Sequence, residues 1–190
     1  MSIGVAVIGV GHWGPNLARN LHNELGVELR WVVDRDPDRL DYVRQSLPGV
    51  GTSTTVDDVW SDPEVDAVAI ATPTSTHGKL VEEALRSGKH VLVEKPIVDD
   101  SVLGTSLVDL AAELGLVLMV GHVFLFNEAI LVAKRLLDEG ELGEVFHVTM
   151  VRTNLGPIRY DVNVNWDLAA HDVSIANYLL GSGPLSVSAV

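Results

Sequence analysis

Short, almost wholly apolar runs alternate along the chain with segments whose apolar residues recur at helical spacing. The runs at 4–9, 28–34, 67–71, 90–93 and 117–120 are rich in Val and Ile and lack strict alternation. Strands buried on both faces of a parallel sheet have this pattern. Segments 13–24, 37–46, 76–87 and 100–114 carry the helical period. Gly88 and Gly115 stand just past the end of two of them, where a left-handed cap favours glycine. Strand and helix in regular succession predict a doubly wound α/β sheet with right-handed crossovers.

The pattern changes after Val120. A helix is expected over 127–138 and a strand over 144–152, where Val145, His147 and Thr149 alternate with Phe146, Val148 and Met150. A polar loop with Gly, Pro and three Asn follows over 154–166, then a helix over 167–180 stopped by Gly181. Residues 185–190 open another strand. The boundary therefore separates residues 1–120 from residues 121–190, and the second unit reads as unfinished, with two strands that lack partners.

Composition adds exclusions. The formal net charge is −13, from 13 basic and 26 acidic residues. Nucleic-acid binding needs a basic face, so it is not expected. The chain has no cysteine, which removes disulfides, thiolate metal sites and a cysteine nucleophile. Its seven histidines show no ligand spacing, so no metal site is expected. The first residues lack a basic segment and a long apolar core, so no secretory signal is expected. No apolar run approaches the roughly 20 residues that span a bilayer. A cytoplasmic protein without a membrane partner is the expectation.

The first strand runs into Gly9-Val10-Gly11-His12-Trp13-Gly14, which fits G-x-G-x-x-G between a strand and a helix. In this motif the first glycine makes the tight turn, the second admits a pyrophosphate against the backbone, and the third lets helix and strand pack closely. The pyrophosphate would sit on free N–H groups at the positive end of the helix. Asp34 ends the second strand, 34 − 14 = 20 residues past the last glycine. A carboxylate there accepts from a ribose 2′-hydroxyl and repels a 2′-phosphate, so NAD is preferred to NADP, although Arg35 beside it offers a phosphate a partner. Expected cofactor contacts are Gly9, Gly11, His12, Trp13, Gly14, Asp34 and Arg35. Ala71, Thr72 and Pro73, at the carboxyl end of the strand 67–71, are expected to join them. His77 lies near the same edge, as a contact or as a surface histidine.

Glu94-Lys95-Pro96 follows the strand 90–93, and the proline fixes the backbone beside Lys95. Glu94 and Lys95 are thereby aimed at the cofactor, and Lys95 is a candidate for proton exchange with a hydroxyl. A lysine in this position is also compatible with a solvated surface role. Asp167 and His171 are four apart on a predicted helix and share a face, an arrangement in which a carboxylate orients an imidazole. Asp172 is turned away from His171.

The succession of the glycine turn, ATPTSTH (71–77), EKP (94–96), GHVFLFN (121–127) and WDLAAHD (166–172) resembles the glucose–fructose oxidoreductase/inositol dehydrogenase family over essentially the whole chain. The resemblance implies a Rossmann domain followed by an α+β domain with an antiparallel sheet, here incomplete. It implies hydride transfer between a nicotinamide and a carbon of a sugar, nucleotide sugar or cyclitol. It gives Lys95 as the catalytic lysine and Asp167 and His171 as the active-site pair, and it leaves open which of Lys95 and His171 is the base. It also implies a homo-oligomer for a full-length form, because the second sheet forms the family's interface. Glu128 stands where the family phrase usually has proline. Family members are longer, so this chain is expected to be a fragment or shortened product. A non-catalytic dinucleotide-binding module, or a shortened dehydrogenase that binds cofactor without turnover, would share the glycine turn.

Overall fold

The computed structural model describes residues 2–153 and 163–188. It falls into two compact units, Met1–Gly121 and His122–Val190. The first unit is built on six strands: β1 (Ile3–Ile8), β2 (Val27–Val33), β3 (Gly51–Ser53), β4 (Ala67–Ile70), β5 (His90–Val93) and β6 (Leu118–Val120). Their order is β3-β2-β1-β4-β5-β6 and every pairing is parallel. Helices α1 (Gly14–Asn23), α2 (Pro37–Ser46), α3 (Asp57–Ser61), α4 (His77–Arg86) and α5 (Ser101–Leu114) make the connections. The chain winds outward from β1 to β3, then returns to lay β4 against the other side of β1. The strand order reverses between β1 and β4, and ligands bind beyond the carboxyl ends of strands at such a reversal.

The two faces of the sheet have separate cores, set by the two-residue alternation of each strand. Val7, Val32 and Ala69 point to one face and pack with Ala18, Leu40 and Val43 of α1 and α2. Ala6, Ile8, Val68 and Ile70 point to the other and meet Val81, Ala84 and Leu85 of α4 and Leu107 and Ala111 of α5. Coverage on both faces is the reason these strands read as continuous apolar runs. Two elements are new relative to the sequence reading. Gly51-Thr52-Ser53 is an edge strand paired with Trp31–Val33 and carries no apolar run. The five residues of α3 are too short to show a helical period.

In the second unit, α6 (Glu128–Asp138) and α7 (Ala170–Leu180) are present. The strand expected over 144–152 is not seen among the described residues, nor is the antiparallel sheet. A strand exists only with a hydrogen-bonded neighbour, and no described segment pairs with this one. Its side chains are accordingly open, with Phe146 87% and Val151 85% exposed. The strand expected from 185 onward is likewise not seen in the described part, and the loop expected over 154–166 falls largely outside the described residues.

Candidate functional site

The glycine turn leaves the carboxyl end of β1 with the Gly9 N–H donating to the Val33 carbonyl, 2.7 Å. The structure gives its three glycines different reasons. Gly9 has φ +92°, and a Cβ there would lie 2.8 Å from Thr72 Cγ2. On Gly14 a Cβ would lie 1.9 Å from the Gly9 carbonyl oxygen, so only glycine lets α1 start this close to β1. Gly11 has no positive φ, and a Cβ on it would meet only the Arg39 guanidinium, at 3.4 Å. The fold therefore explains two glycines, and open space over the turn explains the third. That space suits a pyrophosphate lying on the backbone. Trp13 precedes α1 and its side chain caps no N–H of the first turn. His12 and Trp13 are exposed beside the turn.

Asp34 is buried, with 7% exposure. Its Oδ2 accepts from the Val10 N–H at 2.8 Å and its Oδ1 from the Asp36 N–H at 2.9 Å. An ionised carboxylate accepts about four hydrogen bonds, so lone pairs remain for a ribose hydroxyl. Arg35 is exposed. Arg39, which sequence reasoning missed, reaches back from α2 to within 3.8 Å of Asp34 and 3.4 Å of Asp36. Its three-residue spacing from the helix-capping Asp36 was the available signal.

The segment after β4 closes over the same edge. The Ala71 N–H donates to the Ile8 carbonyl at 2.8 Å, which holds this loop against β1. Ala71 and Thr72 are half-buried and Pro73 is exposed. His77 opens α4 and is 1% exposed, not at the surface. Its Nδ1 lies 2.8 Å from the Pro96 carbonyl oxygen and its Nε2 2.9 Å from that of Thr72. Beyond β5, the Glu94 N–H donates to the Ile70 carbonyl at 2.9 Å. The Glu94 carboxylate lies over Gly121, where a Cβ would come within 3.3 Å of its Oε1. Burial pushes the Glu94 carboxyl above its ordinary range, opposed by the Lys95 N–H that it accepts and by the Lys95 charge. Lys95 is half-buried, and the Lys95–Pro96 peptide bond is cis.

The remaining predicted residues belong to the second unit. Asn127 caps α6 by accepting from the Ala129 N–H at 3.0 Å. Glu128 then sits in the first turn, where its charge suits the helix dipole, so the residue that departs from the family phrase still starts a helix. Asp167 lies on a π-helical turn, Asn165–Ala169, and not on a continuous α-helix. His171 stands in the first turn of α7 and is 8% exposed. Its ring meets the Phe124 ring edge to face, with centroids 4.7 Å apart. The Arg152 guanidinium covers Phe124 at 4.5 Å from the ring centroid. Arg152 in turn donates from Nε to Asp172 Oδ1 at 2.9 Å, and its Nη2 makes an ion pair with the same oxygen at 2.8 Å. Asp172 thus serves Arg152. Phe124 and Arg152 were not singled out from the sequence, since neither spacing nor composition ties them to His171. Among the described residues no cluster of three His, Cys, Asp or Glu is placed to hold a metal ion, and no helix is long and apolar enough to cross a membrane.

Comparison with known proteins fits this geometry. Residues 3–122 match the oxidoreductase family with the NAD-binding Rossmann fold. A scyllo-inositol 2-dehydrogenase (NAD(+)) of Bacillus subtilis (strain 168) is 34% identical over 189 residues, 96% of this chain and 55% of that protein. A UDP-N-acetylglucosamine 3-dehydrogenase of Acidithiobacillus ferrooxidans is 34% identical over 185 residues, 97% of this chain and 56% of that protein. The crystal structure of scyllo-inositol dehydrogenase from Lactobacillus casei with bound NAD(H) and scyllo-inositol superposes with a TM-score of 0.82 at 25% identity, covering 95% of this chain and 57% of that one. The chain thus spans about half the length of the relatives it matches. On its sequence match, its strand order and its glycine turn, the chain belongs to the oxidoreductase family with an NAD-binding Rossmann fold, the glucose–fructose oxidoreductase/inositol dehydrogenase family.

Proposed function

We propose that this chain is part of an NAD-dependent dehydrogenase that acts on a hydroxyl-bearing carbon of a sugar, nucleotide sugar or cyclitol. The observation that carries the reading is Gly11, the one glycine of the turn whose Cβ position faces open space and only the end of the Arg39 side chain, where the fold itself gives no reason for glycine. When bound, the dinucleotide accepts hydride from the carbon being oxidised. The chain's own residues would do the rest. The Gly9–Gly14 turn and the start of α1 hold the pyrophosphate. Asp34 accepts from the ribose 2′-hydroxyl. Preference for NAD over NADP follows from the Asp34 charge and from Arg39, which already faces both Asp34 and Asp36 and so is not spare for a 2′-phosphate. Ala71, Thr72, Pro73, His12, Trp13, Arg35 and Glu94 line the remainder of the cofactor edge. One of Lys95 and His171 takes the hydroxyl proton, and Asp167 orients His171. Residues 121–190 supply part of the substrate domain, and a full-length form works as a cytoplasmic homo-oligomer.

The test is a panel of sugars, cyclitols and nucleotide sugars with NAD+ and NADP+, followed by nicotinamide absorbance, on this chain and on any longer gene product. Turnover of at least one member with NAD+ is expected. In the active form, Lys95→Ala should keep NAD binding and lose about 10²-fold in turnover, the usual scale for a positioned acid or base. Turnover close to the parent protein would remove Lys95 from proton transfer.

A further inference from the structure

We propose that His77 is a positioning residue for Lys95, a two-ended strut that ties the carbonyl next to Lys95 to the loop that flanks the glycine turn. The inference rests on the reading of Lys95 given above. The last backbone bond between the two segments is from the Glu94 N–H to the Ile70 carbonyl. Beyond it the chains leave the sheet, one toward α4 and the other through Lys95 and Pro96. The His77 ring spans that divergence, with Nδ1 at the Pro96 carbonyl, 2.8 Å, and Nε2 at the Thr72 carbonyl, 2.9 Å. Thr72 in turn lies against Gly9, the first glycine of the cofactor turn. One side chain therefore couples the backbone beside Lys95 to the wall of the dinucleotide site.

Two further observations make the strut rigid. His77 is 1% exposed, so its ring is packed in on all sides. The next residue, Gly78, packs so tightly on α5 that a Cβ would lie 2.9 Å from Leu103 Cδ2, which fixes the start of α4. The chemistry is also specific. Both partners are carbonyl oxygens, which only accept, and a neutral imidazole carries a single N–H. Donating to both ends takes a ring with hydrogen on both nitrogens, and such a ring donates in two divergent directions. A histidine that merely filled the core would need no such pair of acceptors.

Two measurements test the strut, and the first needs no substitution. In the 15N spectrum of the parent chain at neutral pH, both His77 ring nitrogens should carry hydrogen; a neutral ring with one bare nitrogen would overturn the proposal. The second is a double-substitution cycle in the active, full-length protein, with His77→Gln as the milder partner of His77→Phe in case the latter does not fold. Either variant should lower kcat by roughly 10-fold or more with KM for the hydroxyl substrate little changed, the signature of a displaced group and not of lost binding. In a Lys95→Met background the same substitution should lower kcat no further, because His77 acts through Lys95. An equal loss in both backgrounds, or a loss confined to thermal stability, would make His77 a structural residue only. If Lys95→Met alone leaves kcat unchanged, the catalytic reading of Lys95 fails, while the 15N result still decides the strut.

Discussion

The two ends of the parallel sheet use the same backbone in opposite ways. At the amino end the protein closes its polar groups on itself. The Asp66 carboxylate accepts from the Gly4 N–H at 2.8 Å, where β1 begins. Lys89, buried before β5, donates to the carbonyls of Asp62 and Val65, both at 2.7 Å. Asp62 accepts from Trp31 Nε1 at 2.8 Å and Arg30 Nε at 3.3 Å, and these bonds, the Trp31 bond first, hold its carboxyl below the ordinary range. At the carboxyl end the turn over Gly11 is open, no side chain caps α1, and burial pushes the Glu94 carboxyl up. One end spends its donors and charges on stability. The other leaves a turn open and a carboxyl held above its ordinary range.

Substitution can break that contrast most sharply within the glycine turn. Gly14→Ala drives a Cβ onto the Gly9 carbonyl, so it should cost about 3 kcal/mol or more, or prevent folding. Gly11→Ala meets only the end of a flexible arginine, so urea unfolding should shift by no more than about 0.5 kcal/mol. Its NAD affinity should nevertheless fall by at least about 10-fold, read by titration of intrinsic tryptophan fluorescence. Equal damage to folding from both substitutions would erase the distinction between a glycine kept for the fold and one kept for a ligand.

A smaller effect is expected at the amino end. Asp62→Ala strands the Trp31 and Arg30 donors and should cost about 1–3 kcal/mol in urea unfolding, with NAD affinity unchanged. A loss of NAD affinity there would mean that the two ends are coupled through the strands.

The smallest effects are in pH dependence, and the two carboxyls should differ in sign. Asp62 is held low, so its contribution is present above the usual carboxylate pKa and fades as pH falls through its lowered value. Glu94 is held high, so its contribution is present in acid and is lost as pH rises through its raised value. Glu94→Gln should therefore raise the melting temperature slightly at neutral pH and leave it unchanged in acid. Asp62→Asn should do the reverse, lowering the melting temperature at neutral pH and converging with the parent in acid.

The strands and the glycine turn of the carboxyl end were legible in the sequence, because they are written in short motifs. Gly9, Gly11, Gly14 and Asp34 have fixed spacing, and the buried strands announce themselves as apolar runs. Bonds from side chains to distant backbone atoms were not legible. Nothing in the order of residues says that His77 reaches the Pro96 carbonyl nineteen residues on, or that Asp34 holds the Val10 N–H. The short edge strand β3 escaped notice because pairing, not hydrophobicity, makes it a strand. The helix drawn through Asp167 and His171 begins with a π-helical turn, a widening that periodicity does not encode. Alternation over 144–152 suggested a strand, but alternation supplies only a face and not a neighbour.

The bond from the Val10 N–H to Asp34 has a consequence for engineering the cofactor preference. The residue that would read the ribose is also a bracket for the glycine turn. Removing its charge to welcome a 2′-phosphate also unfastens the turn, so a redesign that changes only position 34 trades selectivity against affinity. A successful exchange has to give Val10 a new acceptor, for instance a hydroxyl at position 34, and to release Arg39 from Asp36 so that the guanidinium can turn to the phosphate. Asp34, Val10, Asp36 and Arg39 form one linked assembly, so a change at position 34 reaches the turn and the arginine together.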